Sequence, residues 1–265
     1  MAASYANARS GAVGGPLAVR DISTADLREA LRKGVADFQA MPSHVAFVSL
    51  IYPILGLFFA SVAFGYDVVP LIYPLISGFA LVGPLAAVGL YELSRRRELG
   101  LETHWSDAFD VLKSPAIGSI VAMGLVLIVA FFAWMFAAQA IFRAFYGTAV
   151  DTMSYSDLAR DILTTSRGWG LIVVGNLVGG LFAVVVLAVS VMAFPLILDR
   201  NVGVGTAIQT SIRAVTVNPV NMAIWGAIVA GLLAIGSLPL FVGLAVVVPI
   251  LGHATWHLYK SVIIE

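Results

Sequence analysis

Long apolar runs alternate along the chain with short polar segments, and the two kinds of stretch carry different periods. Six runs approach the ~20 residues that take a helix across a bilayer core. They cover about 44–64, 68–91, 117–142, 169–198, 222–235 and 238–257. Pro70, Pro74 and Pro84 interrupt the second run. The fourth exceeds one straight crossing, which predicts tilt or an overhanging end. Gly236-Ser237, followed by Pro239, predicts a turn between the last two runs. The pattern therefore predicts an all-α, polytopic membrane bundle of six transmembrane helices.

The polar segments before each pair of runs hold a helix-period apolar stripe and then a proline. Leu27, Leu31, Val35 and Phe38 precede Pro42; Trp105, Ala108, Phe109 and Leu112 precede Pro115; Ile208, Ile212 and Val215 precede Pro219. Each stripe predicts a short cytoplasmic amphipathic helix, lying in the interface plane or packed across the bundle ends. Proline ends each one before the span begins. "STAD" at residues 23–26 reads as the capped start of the first. The unit of helix, proline and hairpin occurs three times. Mitochondrial carriers share such a threefold plan, but "PLILDR" at 195–200 does not match the spacing of their signature, so the likeness is architectural only.

Composition agrees. Hydrophobic residues make up 60% and charged residues 11%, well below the ~25% charged residues of soluble domains. With no cysteine, disulfides and thiolate metal sites are excluded. Residues 1–20 are small and Gly/Ala-rich, predicting a flexible tail ahead of one membrane domain over 21–265. Twelve of the fifteen Lys and Arg fall on one side of the predicted spans, against Arg143, Arg160 and Arg167 on the other. Both termini are thus expected in the cytoplasm.

Candidate chemistry gathers at the inner helix ends. Pro84 precedes Glu92 by eight residues, Pro195 precedes Asp199 by four, and Pro249 precedes His253 by four and His257 by eight. Two histidines four apart share a helix face and can hold one metal ion, as in zinc helices. A divalent ion would need Glu92 and Asp199 as further ligands. The alternative is a plain helix end with Trp256, Tyr259 and Lys260 as interfacial anchors. Arg95, Arg96 and Arg97 are candidates for anionic lipid heads or simple topology anchors. Gly175 and Gly179, with Asn176 between them, allow close helix packing, within one chain or between copies. "SYSD" at 154–157 predicts the start of a short helix through Leu158 and Ile162 in the outer loop.

The segments "GFALVGPLAAVGLYELSRRRELG" (78–100), "FPLILDRNVG" (194–203), "TSIRAVTVNPVNMAIWG" (210–226) and "LGHATWHLY" (251–259) resemble an uncharacterised family of integral membrane proteins, mainly alphaproteobacterial, known as a domain of unknown function. The resemblance runs over about 22–259. It implies an inner-membrane location and supplies no activity or site residue. No phosphate-binding loop, nucleophile elbow or acid/base carboxylate pair stands out, so a non-enzymatic protein without cofactor is expected. An accessory or scaffold role comes first, with solute transport and metal binding as alternatives. The expected partners are lipids and a membrane protein or second copy, not nucleic acid.

Overall fold

The computed structural model describes residues 17–41, 56, 72–147, 153–239 and 241–264. The predicted first span, 44–64, lies outside the described residues apart from Gly56. The helices are α1 (Thr24–Ala40), α2 (Ile72–Ala86), α3 (Val88–Glu98), a 3-10 helix η1 (Trp105–Lys113), α4 (Ile117–Tyr146), α5 (Tyr155–Thr164), α6 (Ser166–Ser190), α7 (Ala193–Arg200), α8 (Val204–Val217), α9 (Pro219–Ser237) and α10 (Leu244–Val262). No β-sheet occurs among the described residues.

Among the described residues, four stretches are long and apolar enough to cross a membrane: Ile72–Glu98, Ile117–Tyr146, Ser166–Arg200 and Pro219–Ser237. Helices suit that setting because hydrocarbon offers backbone groups no other partner. Only 28% of the most apolar part of α4 is buried. Val121, Leu125, Val129, Phe132 and Phe136 project outward from it, which in water would form an unsupportable apolar patch.

The prolines shape the second helix of each predicted pair. The first such stretch breaks at Ala87, three residues after Pro84, where α2 gives way to α3. The second breaks at Val191-Met192, just before Pro195 in the first turn of α7, a position that tolerates proline. Pro249 sits inside a continuous α10. The last turn differs from expectation: Gly236 and Ser237 still belong to α9, and α10 begins only at Leu244. Gly236 and Gly243 pack backbone to backbone there; a Cβ on Gly243 would lie 2.7 Å from the Gly236 carbonyl oxygen. The final helix therefore runs Leu244–Val262 instead of 238–257.

In α1, η1 and α8, small and polar residues join the packing face while part of the predicted apolar stripe is exposed. α1 buries Leu27, Ala30, Gly34 and Asp37, while Val35 is exposed. η1 buries Ala108 and Val111, while Trp105, Phe109 and Leu112 are exposed. α8 buries Ala207, Thr210, Ser211 and Ala214, while Ile212 is exposed. Small residues allow backbones to approach, and the hydroxyls have partners: Ser211 Oγ accepts from Met192 N at 3.2 Å, Thr210 Oγ1 from Leu17 N at 3.1 Å.

Two ends of the chain meet. Val19 and Ile263 form an antiparallel bridge, with Arg20 N donating to Val262 O at 2.9 Å and Ile264 N to Ala18 O at 3.2 Å. Asn218 Oδ1 accepts from Ile22 N at 2.8 Å while its Nδ2 donates to Arg20 O, and Asn221 Nδ2 donates to Ile22 O at 2.7 Å. Residues 17–20, expected as part of a free tail, are thus pinned across α8, α9 and the end of α10.

Candidate functional site

α1 crosses α10 so closely that a Cβ on Gly34 would sit 2.7 Å from both the Ala254 Cβ and the Ile250 carbonyl oxygen. That approach brings Asp37, three residues on, against the polar end of α10. Its carboxylate is buried and is the hub of a network across three helices. Oδ2 accepts from Ser94 Oγ of α3 at 2.7 Å and from His257 Nε2 of α10 at 2.9 Å. Oδ1 accepts from the Arg97 guanidinium of α3.

Proton bookkeeping fixes the rest. The Ser94 hydroxyl gives its one proton to Asp37, so at Ser94 Oγ the His253 Nδ1, 2.6 Å away, must be the donor. His253 Nε2 then carries a lone pair, and it is buried with no partner. His257 Nδ1 lies 3.3 Å from Glu98 Oε1, outside hydrogen-bond geometry. The series His253–Ser94–Asp37–His257–Glu98 therefore runs from a sealed imidazole to a carboxylate that is one-third exposed. Burial pushes the Asp37 carboxyl upward. The hydrogen bonds from His257 and Ser94 outweigh that and hold it below its ordinary value.

Of the four candidate metal ligands, the structure brings His253 and His257 together but not with Glu92 and Asp199. Glu92 receives two hydrogen bonds from Arg95, at 2.8 and 2.9 Å. Asp199 accepts from Tyr259 Oη at 2.7 Å and lies 3.6 Å from Lys260 Nζ. Among the described residues, no three His, Asp or Glu side chains are placed to share one ion.

The anchor expectations change too. Trp256 and Tyr259 are enclosed at 0% and 1% exposure, so they are core residues and not boundary aromatics; α10 is surrounded by α1, α3, α7 and α9. Lys260 stays half-exposed, 6.0 Å above the Trp256 ring. The three arginines of α3 each face a carboxylate: Arg95 with Glu92, Arg96 with Asp107 and Asp110, Arg97 with Asp37. Arg96 and Arg97 thereby tie α3 to η1 and α1, while the Arg95 pair lies within α3.

Gly179 meets Trp134 of α4, whose ring would lie 3.0 Å from an added Cβ, whereas Gly175 meets nothing within 4 Å. Asn176 Oδ1 accepts from Tyr73 Oη of α2 at 2.8 Å. At the opposite end, Ser154 Oγ caps α5 through Asp157 N. Asp161 of α5 accepts from Tyr146 Oη at 2.7 Å and pairs with Arg167 at 3.0 Å. The Tyr146 hydrogen bond, above all, keeps the Asp161 carboxyl below its ordinary value.

Residues 71–199, covering α2 to α7, match the family model "Predicted integral membrane protein (DUF2189)". The matched segment spans just under half of the chain. That segment contributes Ser94, Arg97 and Glu98 to the network, while Asp37, His253 and His257 flank it on either side. It is narrower than the 22–259 of the sequence resemblance. No curated protein and no solved structure matches the chain.

Sequence reasoning found the histidines, read Arg97 as a lipid or topology anchor, and missed Asp37, Ser94 and Glu98. The available signal was the series Leu27, Ala30, Gly34, Asp37, a small-residue stripe ending in an acid, which reads as a packing face that carries one buried polar group.

Proposed function

We propose that the chain is a non-enzymatic accessory or scaffold protein of a bacterial inner membrane, with six spans as three hairpin repeats and both termini cytoplasmic. The observation that carries this reading is the Asp37 network. The ionisable groups most able to do chemistry are engaged with one another, closing the cytoplasmic end of the bundle. No cofactor is needed for that role. The bridge between residues 18–20 and 262–264 puts both ends of the described chain on one side, which requires an even number of crossings. Four long apolar helices, α10 and the predicted span at 44–64 make six. The basic ends of α3, α7 and α10 then lie on the same side as α1, as the positive-inside rule asks.

Deletion in the native host should change the assembly or level of one membrane complex on native gels, and the purified protein in proteoliposomes should pass no solute. Solute flux by the purified protein would overturn the reading in favour of transport, the competing role that the helix breaks near Pro84 and Pro195 favour. Metal bound stoichiometrically by purified protein and lost in His253→Ala or His257→Ala would instead favour the metal reading.

A further inference from the structure

We infer that η1 is an in-plane membrane anchor, whose outer face rests at the headgroup–acyl boundary of the cytoplasmic leaflet. The helix has two distinct apolar faces. Ala108 and Val111 turn inward on α3, where a Cβ on Gly89 would meet the Ala108 Cβ at 3.2 Å. Trp105, Phe109 and Leu112 turn outward with exposures of 44%, 44% and 67%. Trp105 and Phe109 pack edge to face at 6.2 Å, making one continuous apolar surface. Leu99 and Leu101, just upstream, are also exposed.

Two observations name the bilayer as occupant. The first is continuity with the lipid-facing surface: η1 ends at Lys113, and α4, whose outward residues begin with Val121, starts at Ile117. A chain this short cannot carry η1 far from the point where α4 enters the membrane. The second is the disposition of charge. Arg96 draws Asp107 and Asp110 toward α3, at 3.4 and 3.1 Å. Lys113, 83% exposed, pairs with Asp110 at 2.8 Å on the polar edge of η1, where a long basic side chain can also reach headgroups. α1 and α8 share part of this pattern: Val35 and Ile212 are exposed beside small residues that pack on protein.

This inference needs α4 to cross a bilayer but does not depend on the scaffold role. The natural chain has no cysteine, so single spin labels can be placed without other changes. Leu112→Cys and Leu101→Cys proteins, reconstituted in phosphatidylethanolamine/phosphatidylglycerol vesicles, should collide more with oxygen than with water-soluble nickel chelate. Lys113→Cys should show the reverse. Nickel accessibility at 112 and 101 equal to that at 113 would overturn the proposal, placing the face in water. Protection from both reagents would overturn it too, in favour of a protein cover. Both leucines are largely exposed, so labelling is not expected to disturb folding; circular dichroism of each variant checks this.

Discussion

Asp37 holds three donors from two helices in a place that water does not reach. A buried carboxylate of this kind adds little net stability over an apolar substitute, but removing one partner strands the others. Asp37→Ala should therefore cost about 3–5 kcal/mol, read as a lowered unfolding midpoint in detergent, while Asp37→Asn should cost less because it still accepts one hydrogen bond. The pH dependence has a definite sign. The folded carboxyl lies below its ordinary 3.8, so folding favours the ionised form. Its contribution is complete above that ordinary value and is lost as pH falls through the lowered folded value. Hydrogen exchange of α1 should accelerate below about pH 4, and Asp37→Asn should flatten that acid limb. At this scale the sequence was half legible. The i,i+4 histidines announce a shared face, but which acid meets them depends on a helix more than 200 residues away in the chain.

The helices themselves were readable from run length and proline position, and α4 and α9 begin within three residues of expectation. Their packing faces were not. In water a large apolar stripe marks the buried side, but lipid is as apolar as leucine, so that stripe no longer distinguishes inside from outside. Val35, Phe109 and Ile212 all belong to predicted stripes and all face outward. Glycine contacts test this directly. Gly34→Ala would press a methyl against the backbone of α10, and overpacking of that kind costs about 1–3 kcal/mol. Gly252→Ala meets chiefly the Leu90 side chain, which can move, so its loss of thermal stability should be smaller. Gly175→Ala meets nothing within 4 Å and should leave the midpoint of the monomer unchanged.

At the scale of the molecule, the segment that matches the family model supplies the middle of a bundle that is closed by parts outside it: α1 before and α8 to α10 after. Asn218 and Asn221 clamp residues 20–22, and the end of α10 pairs with residues 18–20. The Asn-Pro pair at 218–219 read only as a helix stop, because no local pattern reveals that an asparagine amide will bind a segment almost 200 residues earlier. The account stands on that closure, which brings the two described ends together; we propose that they lie on the cytoplasmic face. The most direct test uses the Val19–Ile263 bridge, a pair flanked by hydrogen bonds at 18–264 and 20–262 and so of the closely spaced kind, whose Cα separation of about 4.5 Å suits a disulfide. In a Val19→Cys/Ile263→Cys protein in native membranes, mild oxidation should join the two cysteines within one chain. In the reduced protein, a membrane-impermeant thiol reagent should reach them only in inverted vesicles. Failure to cross-link, or labelling of either cysteine from outside the cell, would contradict the account.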